Sequence, residues 1–327
     1  RWKRVTGVQT CALPISSAAV AEADALVSFA TVAHENGYTR PQVSNSDVLS
    51  IEEGRHPVLE CLLPPHTYIA NDTALDCSHS QIHIVTGPNM AGKSTYMRQV
   101  AHIVLMAQSG SFVPAASACI GVVDRIFTRV GAVDDITLGL STFMVEMIET
   151  SVILNAASRK SLVLLDEVGR GTGTVDGVSI AWAVTEYLHD RIGAKTLFAT
   201  HFNELTQISS HLPRVKNYHV SAHEKTGGIV FTHRVLPGST DRSFGVEVAK
   251  LAGLPQDVIE RAGEMLQSQG RPRDVAPPPK KPVQLLLLGE PQPSKVEERL
   301  KEIAFDDVTP RKALDLLYEL KDILENG

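Results

Sequence analysis

Cysteine is sparse in this chain and arranged in none of the patterns that usually give it a task. Cys11, Cys61, Cys77 and Cys119 show no C-x-x-C spacing, so neither a structural zinc site nor a disulfide framework is expected, and a reducing, cytoplasmic setting fits. His79 and His83 stand four apart without the acid of an H-E-x-x-H motif, which removes the helical zinc-hydrolase pattern. Basic charge is also short. The net charge of −6 is a poor basis for gripping nucleic acid, because nonspecific affinity comes chiefly from Lys and Arg neutralising phosphates. No uninterrupted apolar run reaches membrane-spanning length, and the basic start Arg1-Trp2-Lys3-Arg4 is not followed by a secretory core. No membrane association is expected.

What is present is a chain of 327 residues with 43% hydrophobic content, enough for one large domain with appendages. Within it Gly87, Pro88, Asn89, Met90, Ala91, Gly92, Lys93, Ser94 and Thr95 match G-x-x-x-x-G-K-[ST]. The flanks matter more than the pattern. Gln81 to Thr86 (QIHIVT) predicts a short strand, and Ser94 to Ser109 repeats apolar residues at helical spacing before Gly110. A glycine loop between strand and helix turns successive backbone N–H groups inward and adds a helix N-terminus, which suits a triphosphate such as ATP. Lys93 would reach the β- and γ-phosphates and Ser94 the Mg²⁺.

Ser161 to Glu167 (SLVLLDE) is a continuous apolar run ending in two carboxylates, as expected of a strand buried on both faces whose tip lines a site. A carboxylate beside hydrocarbon needs an offsetting cation, which Mg²⁺ would supply for Asp166. Glu167 is then the candidate for positioning or deprotonating an attacking water. Taken alone the pair reads equally well as acids at a helix start, since Gly169 to Thr174 (GRGTGT) leads into a helical stretch, Gly177 to His189. Lys195 to His201 (KTLFATH) is a third strand-like run, and His201 at its end is placed to sense a γ-phosphate.

These residues resemble the ATPase domain of the MutS family. TGPNMAGKSTYMRQVA, DRIFTRVGAVDDITLGLSTFMVEM, LVLLDEVGRGTGTVDGVSIAW and TLFATHFNEL follow one another in the family's order, and GRHPVLE, YIAN, SFGVEVAKLAGLP and TPRKALDLLYEL extend the resemblance to the C-terminus. It implies an α/β fold, a P-loop NTPase of ABC-ATPase type with a mostly parallel sheet, followed by a C-terminal helix-turn-helix and a short helical tail. It implies Mg²⁺-dependent ATP hydrolysis, with Asn89, Gly92, Lys93, Ser94 and Thr95 on the phosphates and metal, Asp166 and Glu167 as the Walker B pair, and His201 as the switch histidine. Tyr68 and His233 would flank the adenine. Ser141 matches the serine presented across a homodimer to the partner's γ-phosphate; on its own it is a helix cap. Mismatched double-stranded DNA and a MutL-like protein are the implied partners. Two positions depart from the family: Ala91, where many members have Gly or Ser, and Gly173, where Ser or Thr is usual and Gly would loosen the loop. Transporter-type and chromosome-structure ATPases need an LSGGQ-like segment, and Gly139 to Met144 reads GLSTFM. A nucleotide-binding assembly module without turnover, and a MutS paralogue acting in recombination, are the competing functions; no nuclease-like segment follows the ATPase.

The organisation expected along the chain is as follows. Residues 1–16 fit neither the family nor any element and read as a non-native leader. Residues 17–46 would be the end of a helical lever, with Ser17 to Ala33 helical, and the family's DNA-holding domains would lie upstream. Residues 47–268 form the ATPase, including two short helices over about 244–268 that suit dimer packing, since the second offers only Arg261 against several acids. Residues 269–295, rich in Pro, Lys and Gln, mark a flexible linker. Inside it Gln284 to Leu288 (QLLLL) is similar to a sliding-clamp peptide lacking its terminal aromatic; clamp binding, packing on the ATPase and no role all stay open. Residues 296–327 place Leu314, Leu317, Leu320 and Leu324 on one helix face, a stripe suited to self-association.

Overall fold

The computed structural model describes residues 7–64, 67–88, 90–131, 141–225, 228–240, 244–268 and 316. Two compact units are present, Arg1–Gln267 and Ser268–Gly327. In the second, only Ser268 and Leu316 are described. The linker, the clamp-like Gln284 to Leu288 and most of the tail therefore lie outside the described residues.

The first unit opens with α1 (Gly7–Glu35), β1 (Gln42–Ser44), β2 (Leu49–Gly54), α2 (Pro57–Leu62) and β3 (Asn71–Leu75). It continues through β4 (Ile82–Thr86), α3 (Lys93–Gln108), β5 (Ser117–Gly121), β6 (Ile126–Arg129), α4 (Thr142–Ala156) and β7 (Leu162–Asp166). Then come α5 (Thr174–Tyr187), β8 (Lys195–Ala199), β9 (Val215–Lys225), β10 (Gly228–Pro237), α6 (Gly245–Leu251) and α7 (Gln256–Ser268). One sheet has the order β10-β9-β4-β8-β7-β6. All its pairings are parallel except the β9–β10 hairpin. The sheet runs of QIHIVT, SLVLLDE and KTLFATH are its three central strands, and their apolar continuity follows from burial on both faces.

Alternation along these strands divides the core. Val85, Leu162, Leu164, Leu197 and Ala199 pack with Met97, Val100, Ile103 and Val104 of α3. Ile82, Ile84, Val163, Leu165 and Phe198 pack the other way, with Ala181 and Val184 of α5. Helix α3 also covers a second, four-stranded sheet, β1-β5-β2-β3, through Leu49, Ile51, Leu75 and Ile120. That sheet is mainly antiparallel. It was not foreseen, because its strands are short and pair across intervening elements.

Two expectations need correction. Residues 7–16, expected to fit no element, form the first turns of α1, which runs through Pro14 although that residue has no N–H to donate. Ile15–Glu35 is also long and apolar enough to cross a membrane by length and composition, with mean hydropathy 1.4. Counting uninterrupted runs missed it because Glu22, Asp24 and several Ser and Thr break the run without lowering the average far. Carboxylates at bilayer depth are costly, so this composition alone does not make a span.

His83 on β4 is fully buried, with Nε2 2.8 Å from Ser80 Oγ and its ring 4.3 Å from that of Tyr218. Burial pushes its pKa down to about 4 from 6.5. The unfolded chain therefore binds a proton between pH 6.5 and 4 that the folded chain refuses. The stability this histidine contributes is fully present above pH 6.5 and falls away as pH drops, by ~3 kcal/mol once pH 4 is passed. Urea unfolding should show the gap between wild type and His83→Gln shrinking by about 2 kcal/mol from pH 7 to pH 5; a constant gap would refute it.

Candidate functional site

The strands β4, β7 and β8 run in parallel, so their C-terminal tips open on one edge, and the sequence-predicted residues follow directly from those tips. After β4 the chain turns through Gly87, Pro88, Met90, Ala91 and Gly92 and enters α3 at Lys93. Met90 takes φ +69° and Gly92, the N-cap, φ +104°. Asn89 lies outside the described residues. Lys93, 4% exposed, curls back so that Nζ donates to Gly87 O at 2.6 Å and Pro88 O at 3.3 Å, closing the loop around a positive charge. Burial lowers its pKa, against the pull of Glu167 and Asp166.

β7 delivers the carboxylates. Asp166 Oδ2 accepts Ser94 Oγ–H at 2.5 Å, while Asp166 Oδ1 is buried without a hydrogen-bond partner. Burial raises the Asp166 pKa; the Ser94 hydrogen bond and Lys93 hold it down only in part. An under-compensated carboxylate beside a hydroxyl, both hard oxygen donors, is the chemistry that suits Mg²⁺. Glu167 is left-handed at φ +56° and its N–H donates to Ala199 O at 2.8 Å. Its carboxylate lies 3.9 Å from Lys93 Nζ through Oε1 and is ion-paired with Arg170 through Oε2. His201 follows β8 at the same edge. Desolvation lowers its pKa, partly countered by Glu167, which keeps the imidazole neutral at pH 7.

A cavity of about 300 Å³ adjoins the loop, lined by Tyr68, Asn71, Met90, Gly92, Thr95 and His233 among others. Tyr68 and His233 thus share one cavity with the glycine loop. Tyr68 Oη donates to Gln99 Oε1 at 2.8 Å, and burial pushes its pKa up to about 12. His233, at φ +55° on a bulge of β10, donates from Nδ1 to Ala91 O at 2.8 Å.

Ser141 is not brought to this group. It is exposed at the N-terminus of α4, and its Oγ accepts Met144 N–H at 3.2 Å, which is the cap expected of the residue on its own. Gly173 is the N-cap of α5, extended at φ −60° and without a side-chain cap bond. Relative to Ser or Thr, the departure costs a helix cap worth a few tenths of a kcal/mol, about the usual Gly value.

Sequence reasoning passed over the residues that hold the site in place. Asn71 Nδ2 donates to His233 O at 3.0 Å, and its Oδ1 accepts Val235 N–H at 2.8 Å, which pins the bulge. Gln99, fully buried on α3, accepts from Tyr68. Glu146 and Arg129 form a buried pair behind the β7 loop. The available signal was polarity out of pattern: Gln99 interrupts the apolar stripe of α3, and Glu146 sits among Phe143, Met144, Val145 and Met147.

Residues 83–269 match the family described as MutS domain V, and residues 290–323 match the DNA mismatch repair protein MutS C-terminal region. The DNA mismatch repair protein MutS of Dehalococcoides mccartyi is 51% identical over 315 residues, covering 95% of this chain and 36% of the relative. That of Myxococcus xanthus is 51% identical over 333 residues, covering 94% and 37%. That of Acetivibrio thermocellus is 49% identical over 320 residues, again covering 94% and 37%. The chain spans a little over a third of the length of these relatives. A match through more than half of the chain, with about half of the residues unchanged in relatives of one name, leaves one assignment: the chain belongs to the MutS family of DNA mismatch repair proteins.

Proposed function

We propose that this chain is the ATP-binding and hydrolysing motor portion of a MutS-like mismatch repair protein, working as a dimer whose nucleotide state switches a DNA clamp. The observation that carries the reading is the convergence of Lys93, Ser94, Asp166 and Glu167 from the tips of β4 and β7, parallel strands on either side of β8, with one oxygen of Asp166 buried and unpartnered. The loop N–H groups and Lys93 bind the phosphates. Tyr68 and His233 enclose the base, and because His233 also bonds Ala91 O, base and phosphate binding share one rigid piece. Ser94 and Asp166 hold Mg²⁺, which when bound neutralises charge on the phosphate oxygens. Glu167 orients the attacking water and takes its proton, and neutral His201 senses the γ-phosphate.

The exposed Ser141 completes the site of a second copy, so that hydrolysis depends on dimer geometry. Helices α6 and α7, joined by a turn at Gly253 with φ +84°, support a helix-turn-helix dimerisation element. Mismatched DNA, a MutL-like protein, a sliding clamp reached through Gln284 to Leu288 and a cytoplasmic setting complete the proposal for the longer protein. The test is steady-state ATP hydrolysis against protein concentration. Turnover per chain rises with concentration, and Ser141→Ala lowers the plateau about tenfold, as for loss of a hydrogen bond to a charged group. Turnover independent of both concentration and Ser141 would remove the composite site.

A further inference from the structure

Glu146 is a carboxylate only 5% exposed in the otherwise apolar start of α4. A buried charge persists only where it is paired and hydrogen-bonded, and its two oxygens are divided between two elements. Oε1 accepts the backbone N–H of Gly169 at 2.5 Å, and Oε2 faces Arg129 Nη2 at 3.4 Å. Arg129, 4% exposed at the end of β6, donates from Nη1 to Gly131 O at 2.8 Å. Its Nε lies 2.9 Å from Glu149 Oε2, a charge contact without hydrogen-bond alignment.

Gly169 stands two residues beyond Glu167. A second contact ties the same pieces together: a Cβ on Gly171 would fall 2.9 Å from Phe143 Cβ. The loop that carries Glu167 therefore rests on the first turns of α4, whose N-cap is Ser141. One carboxylate fastens that loop to the helix, and one guanidinium holds the carboxylate to the sheet.

We propose that Glu146, oriented by Arg129, is a positioning residue that relays the placement of the α4 N-terminus to Glu167. Engagement of Ser141 by a second copy then sets the catalytic carboxylate of its own chain. The proposal rests on the reading of Ser141 and Glu167 as parts of a composite ATPase site. A displacement at Ser141 passes down a helix too stiff to absorb it, and Gly169 N–H must follow Glu146 or lose its bond.

The experiment is a double-mutant cycle on the full chain, read as turnover against protein concentration with ATP affinity measured beside it. Glu146→Gln keeps an acceptor for Gly169 N–H but loses the charge that Arg129 orients. It should leave ATP affinity within about twofold, lower plateau turnover about tenfold and flatten the concentration dependence. Adding Ser141→Ala should then cost clearly less than the tenfold it costs alone, since the part of its effect that runs through Glu146 is already gone. Arg129→Lys, which keeps the charge and loses the fork, should repeat the pattern and carries the test if Glu146→Gln fails to fold. Effects that multiply across the cycle, or wild-type turnover in Glu146→Gln, overturn the relay and leave the composite site standing. Wild-type turnover in the Ser141→Ala single variant overturns both.

Discussion

Replacing Glu167 by glutamine lowers ATP turnover about 10²- to 10⁴-fold, the range for loss of a positioned general base, and leaves ATP binding in place. The substitution keeps the volume and one acceptor but cannot take a proton. The proposed binding elements are elsewhere: Lys93 is held by Gly87 O and Pro88 O, Ser94 by Asp166, and Tyr68 and His233 line the cavity beside the loop. Glu167 is separately held at φ +56°, with its carboxylate between Lys93 and Arg170. A left-handed backbone at a non-glycine residue is a strain kept at functional sites when the surroundings over-determine it. Single-turnover hydrolysis together with equilibrium nucleotide binding separates the two effects. Undiminished turnover would move the base to another residue, and loss of binding would make Glu167 a phosphate contact instead. The same experiment divides the motor from an assembly module without turnover, for which the variant would change nothing.

Gly169→Ala should destabilise the fold by about 3 kcal/mol and abolish turnover with it. Gly169 has φ +92°, and a Cβ there would lie 2.5 Å from Gly177 O; a Cβ on Gly177 would lie 2.3 Å from Gly169 O. Both neighbours are backbone, so no side chain can move aside. The loop after β7 and the first turn of α5 touch main chain to main chain, and the two glycines are what permit it. Gly245→Ala is the control, with open space where the Cβ goes, and should stay within about 0.5 kcal/mol. Urea midpoints for the three proteins decide the matter. A Gly169→Ala variant as stable as Gly245→Ala would mean that the loop relaxes away from α5.

The sequence by itself determined the central strands, the helices that follow them and the group of residues at the strand tips. Continuous apolar runs force strands to be buried on both faces, and residues immediately after such strands emerge at one edge of a parallel sheet. Lys93, Ser94, Asp166, Glu167 and His201 needed no more than that. Tertiary structure decided what local patterns do not carry. The four-stranded sheet joins β1 to β5 across 77 positions, counted from the Gln42–Cys119 pairing. Asn71 reaches His233 across 162 positions. Glu146 meets Gly169 across 23 positions and Arg129 across 17. Asn71, Glu146 and Arg129 are buried polar groups whose partners are chosen by burial. Desolvation makes a bond obligatory, and only the packed fold brings the other half of that bond within reach.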